Sequence, residues 1–159
     1  MDISAELTVA IKLLAALGLG AFIGFDREKH GKDAGIRTYA AVAVGATIFT
    51  SVGAHLQDTA AASRIVANIV VGVGFLGAGM ITRHGPQNTT SGLTTAATIW
   101  CTAAIGVAIG LNMFVIAGVG AVTLYFLLSL HHQKWYVKWK EQTRIGDAEN
   151  AEQGDERSE

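Results

Sequence analysis

Five apolar runs decide most of what this chain can fold into. They cover roughly residues 7–25, 36–56, 65–82, 92–110 and 111–130. Each is close to the ~20 residues that a helix needs to cross a hydrocarbon core. Polar residues within them mostly do not recur at the 3.6-residue spacing that gives a soluble helix its wet face. A soluble protein built round a helical core fails on surface area. With 16% charged against 50% hydrophobic residues, too little polar area remains to cover five such helices. The expected fold class is therefore all-α integral membrane: a five-transmembrane-helix bundle occupying residues 1–130.

Charge is concentrated. The segment FDREKHGKDAGIRT, residues 25–38, separates two apolar runs and is half charged. Lys and Arg are retained in short cytoplasmic loops. With the acidic N-terminus outside, Arg27, Lys29, Lys32, Arg37, Arg83, Lys134, Lys138, Lys140 and Arg144 all fall at cytoplasmic ends, against Arg64 alone in an outer loop. The expected topology is N-terminus outside and C-terminus cytoplasmic, with the charge cluster at minimum a topology anchor. Lys12, one turn into the first run, is near enough to the outer face to snorkel there. The start, MDISAEL, lacks the basic n-region of a cleaved signal peptide, so the first run is expected to stay in the mature chain. Helical spans predict the cytoplasmic (inner) membrane over an outer-membrane barrel. A net charge of −1 argues against nucleic acid as a partner. Cys101 is the single cysteine and permits no internal disulfide.

After Leu130 the composition changes. Residues 131–144, HHQKWYVKWKEQTR, mix Trp135, Tyr136 and Trp139 with lysines, as a juxtamembrane segment on membrane lipid does. Residues 145–159 are acidic, almost without apolar side chains, and expected to be disordered.

Several residues need more than hydrophobicity to explain them. Ala16, Gly20 and Gly24 repeat every four residues, a spacing that lets helix backbones approach closely in lipid. Gly72, Gly74, Gly77 and Gly79 crowd one stretch of the third helix, although each interior glycine costs about 1 kcal/mol relative to Ala. Either a neighbour packs on that backbone, or the helix is broken and frees carbonyls or amides for an ion. Ser91, Thr95, Thr98 and Thr102 share one face of the fourth helix, with Thr94 beside them. Such a stripe either bonds its own i−4 carbonyls or lines a hydrated or interhelical path. Asn68, an amide inside an apolar run, is expected to bond a partner helix.

With this topology Asp26, Arg27, Glu28, Arg37, Thr38, the 77–79 glycines and Thr94/Thr95 belong to one membrane depth on the cytoplasmic side. Ionisable groups there either pair, Asp26 or Glu28 with Arg27 or Arg37, as an ion-pair clamp on the helix ends, or hold a cation. The oxygen chemistry of Asp26 and Glu28 suits Mg²⁺ or H⁺ over zinc. Nothing points to an enzyme. His30, His84, His131 and His132 lie in loops and the tail, and His55 near the outer face, without metal-ligand spacing. No phosphate-binding loop signature is present. No other cofactor is expected.

The motifs GFDRE, AGIRT, GVGFLGAGMI and GLTTAATIW occur in the order and spacing of the MgtC/SapB family of bacterial inner-membrane proteins, which residues 10–125 resemble. The resemblance implies a five-helix membrane protein tied to magnesium limitation and acid stress and, in some members, to virulence inside macrophages. It carries over Arg27, Glu28, Gly35, Arg37, Thr38, Gly72–Gly79, Gly92–Ala96 and Trp100 as motif positions. The best-known member looks like a regulator implicated in restraining the ATP synthase. Better-known members also carry a soluble ACT-like C-terminal domain. Residues 131–159 are too few for one, so the shorter SapB-like branch is the closer comparison. Two readings follow. The chain regulates a larger membrane complex through its small-residue faces, alone or as a homo-oligomer; or it conducts Mg²⁺ or H⁺ through a cytoplasm-side site. The absence of carboxylates inside the spans of helices 2 to 5 favours the regulator.

Overall fold

The computed structural model describes residues 3–56, 58–84 and 89–130; segments 131–144 and 145–159 lie outside the described residues. The order is α1 (Ile3–Lys29), α2 (Ile36–His55), α3 (Thr59–Met80), β1 (Thr82–His84), β2 (Thr89–Ser91), α4 (Leu93–Gly110) and α5 (Phe114–Leu130). Helices α1 to α4 are long and apolar enough to cross a membrane, while α5 is a shorter apolar helix of 17 residues over its described length. The chain is an all-α, multi-pass membrane protein; a small antiparallel ribbon between α3 and α4 pairs Thr82 with Ser91, Arg83 with Thr90 and His84 with Thr89.

The helix ends have local causes. α1 runs past the apolar run into the charge cluster, so residues 26–29, expected as loop, are helical. Arg, Glu and Lys are good helix formers, and the stop comes only at Gly31. This glycine takes φ +62°, its N–H bonds Glu28 O, and Lys32 N–H bonds Arg27 O, the paired bonds of a Schellman end. The N-cap of α2, Gly35, has no side chain to offer; Glu28 Oε2 reaches back from α1 and accepts from Ile36 N–H at 3.0 Å. α3 starts at Thr59 because Asp58 caps it, accepting from the Ala60 and Ala61 N–H groups at 2.9 and 3.1 Å. Gly92 sits at φ +84°, and a Cβ there would collide with the Met80 carbonyl. That glycine separates β2 from α4, so Ser91 belongs to the ribbon and not to the α4 hydroxyl face. Its Oγ lies 2.8 Å from Thr82 Oγ1 instead. Asn112 at φ +63° ends α4 with the same paired bonds, Asn112 N–H to Ile109 O and Met113 N–H to Ala108 O.

The core lies where α1, α2 and α4 meet, and bare backbone makes it close. A Cβ added at Gly20 would lie 2.8 Å from Ala40 Cα, and one at Gly24 would lie 2.6 Å from Ile36 Cα. α4 does the same from its side, Gly106 against Ala43 and Gly110 against Thr50. α2 is thus held between glycines of both neighbours, antiparallel to α1 and parallel to α4. Lipid tails are as apolar as Leu, so van der Waals packing of this kind supplies much of the association. Ala16, Ile23, Tyr39, Ala43, Ile99, Ala103 and Ile109 fill the remaining interior.

α3 packs less tightly. It is unbroken from Thr59 to Met80, which removes the broken-helix expectation. Close packing applies to Gly77 alone, which faces Ala96; Gly72, Gly74 and Gly79 have open space where a Cβ would stand. On α5, Ala117, Ala121 and Leu124 are buried, and Tyr125 stacks on Phe22 with ring centroids 4.7 Å apart. The last residues of α5, 126–130, fall outside the compact unit formed by the preceding chain.

Candidate functional site

A line of buried polar groups runs along the α1/α2/α4 junction. It begins where α1 ends. Asp26 and Arg27 are 7% and 6% exposed, and Arg27, three residues after Gly24, lies on the face of α1 that carries Gly20 and Gly24. Arg27 Nη2 donates to Thr95 Oγ1 at 2.9 Å, while its buried Nε has no partner among the described residues. Thr98 Oγ1 donates to the Thr95 carbonyl at 3.0 Å, so it accepts from the Tyr39 hydroxyl at 2.5 Å. Thr102 Oγ1 donates to the Thr98 carbonyl at 2.8 Å.

The line continues towards the far end of α4. Thr47 Oγ1 donates across to Gly106 O at 2.8 Å. The Thr50 and Ser51 hydroxyls are buried without a partner among the described residues. Lys12, 5% exposed, donates from Nζ to Gly110 O at 2.8 Å. Its ammonium stands at the C-terminal end of α4, where the helix dipole favours a cation. The expected snorkelling of Lys12 is therefore incorrect: it points into the bundle. Residues 12, 16, 20 and 24 repeat every four positions, so Lys12 shares the packing face of Ala16, Gly20 and Gly24.

The charge cluster is divided. Asp26 Oδ1 lies 3.5 Å from His30 Nδ1, and that nitrogen also lies 2.7 Å from the Asp26 carbonyl, a contact that needs the proton on Nδ1. Glu28, exposed, caps α2. Arg37 is exposed and joins no ion pair among the described residues, and the Thr38 amide bonds Gly35 O. The expected pairing of Asp26 or Glu28 with Arg27 or Arg37 is not formed among the described residues: residues one or two apart on a helix do not face each other, and Arg37 stands exposed on α2. The same geometry separates the two carboxylates proposed for Mg²⁺. Among the described residues no group of three or more His, Cys, Asp or Glu converges on a point, and Asp26 and Glu28 turn to different partners, His30 and the Ile36 N–H. Of the polar face expected on α4, Thr95, Thr98 and Thr102 are buried in the line, whereas Thr94 is exposed. Asn68 is exposed on α3 and, among the described residues, bonds no neighbouring helix. Lys12, Tyr39, Thr47, Thr50 and Ser51 are members of the line that the hydropathy pattern did not single out.

Comparison with known proteins bears on this arrangement. The model of the MgtC family matches residues 13–134. Protein SrpB of Synechococcus elongatus is 36% identical over 168 residues, covering 90% of this chain and 91% of that protein. Protein MgtC of Salmonella typhimurium is 48% identical over 104 residues, 65% of this chain and 44% of its own length. Protein MgtC of Brucella abortus is 43% identical over 110 residues, 69% and 45%. The chain thus spans under half the length of these MgtC proteins. No solved structure matches it.

Proposed function

This chain belongs to the MgtC family, and we propose that it is a non-catalytic regulator of another membrane complex, serving magnesium and acid-stress homeostasis. In this reading it lies in the bacterial inner membrane with the α1–α2 charge cluster on the cytoplasmic side. The carrying observation is that polar groups inside the bundle bond one another directly: Arg27 to Thr95, Tyr39 to Thr98, Thr47 to Gly106 O and Lys12 to Gly110 O. A conducting path keeps its polar lining hydrated and available to the ion. Here that lining is spent on joining helices. The exposed apolar faces of α3 and α5, with Val71, Phe75, Val115 and Val119, are left for lipid and partners.

The proton-translocating ATP synthase is the complex that the family resemblance suggests testing first. ATP-driven proton pumping in inverted bacterial membrane vesicles should fall when the chain is present, and unchanged pumping would remove that enzyme as the partner. A second reading, passage of H⁺ through the line, draws support from the unpartnered Arg27 Nε at one end and the Thr50 and Ser51 hydroxyls towards the other. Flux in liposomes separates the two readings.

A further inference from the structure

A groove of about 550 Å³ opens between α2 and α3, floored by Gly45 and Gly72 and walled by Phe49, Ile65 and Leu76. Asn68 is its single polar side chain. It stands near the middle of α3, exposed and without a hydrogen-bond partner among the described residues. An amide at that depth has no water to bond, and acyl chains offer no donor or acceptor, so leaving it alone costs several kcal/mol. Whatever covers the groove must bring a group that both donates and accepts at the same depth.

A carboxamide is complementary to itself, one C=O and one NH₂ against another. Copies of one chain enter the membrane in the same orientation, so a twofold axis along the membrane normal sets every residue level with its own counterpart. We propose that a second copy of this chain covers the α2/α3 groove through a twofold interface in which the two Asn68 carboxamides bond each other. Gly45 and Gly72 have open space where a Cβ would stand, so the partner's side chains reach the backbone there. The adjacent Val71 and Phe75, 71% and 81% exposed, supply apolar surface to fill it. This goes beyond the regulator reading and does not depend on it.

The test is the oligomeric state of the full chain in lipid vesicles, by single-molecule photobleaching across a dilution series in lipid. Wild type should be dimeric. Asn68→Leu, which keeps volume but removes the amide, should weaken association roughly three- to thirty-fold, from the usual strength of interhelical polar bonds in membranes, and Asn68→Gln should restore part of it. Gly72→Leu fills the groove at a position with free space in the protomer, so it should abolish the dimer while circular dichroism stays that of wild type. A wild type that is monomeric at every dilution, its groove covered by lipid or by a different protein, overturns the proposal. So does a dimer that neither Asn68→Leu nor Gly72→Leu weakens.

Discussion

Gly24→Ala tests the packing argument at its tightest point. The added Cβ would sit 2.6 Å from Ile36 Cα and 2.9 Å from Gly35 O. Both are backbone atoms, so no rotamer change relieves the clash. α1 and α2 must part by at least 0.8 Å, the gap between 2.6 Å and the 3.4 Å at which ordinary contact begins. A radial gap of 0.5–1 Å forfeits about a quarter to a half of each dispersion well along the contact. Overpacking of this kind costs about 1–3 kcal/mol, offset by about 1 kcal/mol from replacing a helical glycine with Ala. The expected net loss is about 0–2 kcal/mol, up to a roughly thirty-fold shift in the folding equilibrium, and about 1–3 kcal/mol relative to a glycine-to-alanine change that meets no neighbour. The control is Gly18→Ala, on the same helix with nothing within 4 Å of its Cβ, which should be neutral or slightly stabilising. Reversible unfolding by SDS in mixed micelles, followed by circular dichroism, reads both. Equal stability of the two variants would refute the close α1/α2 approach.

The remaining expectations concern single local devices. Tyr39→Phe removes the hydroxyl 2.5 Å from Thr98 Oγ1, and should cost about 0.5–1.5 kcal/mol in the same titration, since Thr98 keeps its bond to Thr95 O. Asp58→Ala uncaps α3 and should cost about 0.5–2 kcal/mol; hydrogen exchange should speed up at the Ala60 and Ala61 amides before any other part of α3. Gly92→Ala forces a side chain into the left-handed region, worth about 1–2 kcal/mol, and against the Met80 carbonyl as well. Its loss should therefore exceed that of Gly24→Ala, measured the same way.

The hydropathy runs located the helices because crossing hydrocarbon demands long apolar stretches, a requirement written residue by residue. The spacing of Ala16, Gly20 and Gly24 likewise announced a packing face. The helix ends were harder to read. The charged residues 26–29 looked like loop although nothing in them stops a helix before Gly31, and Ser63 and Arg64 hid the polar first turns of α3. The ribbon strands, three residues each, are too short for an alternating pattern to stand out. The polar line was legible in part. Thr95, Thr98 and Thr102 declare themselves by spacing, but their bonds to Arg27 and Tyr39 join positions 68 and 59 residues apart, which only the tertiary fold brings together. Reading Asp26 and Glu28 as a pair failed on helical geometry, which turns them to different partners. Lys12 was misread because its depth was weighed and its face was not.

Ion flux tests the account most directly, since it asks whether the polar line is a joint between helices or a path through them. The purified full chain, reconstituted in liposomes holding a magnesium indicator and a proton indicator, should pass neither ion faster than protein-free liposomes. Asp26→Asn, measured beside it, should behave the same. A wild-type Mg²⁺ or H⁺ signal that Asp26→Asn loses while remaining folded would contradict the regulator reading and make the charge cluster the mouth of an ion pathway.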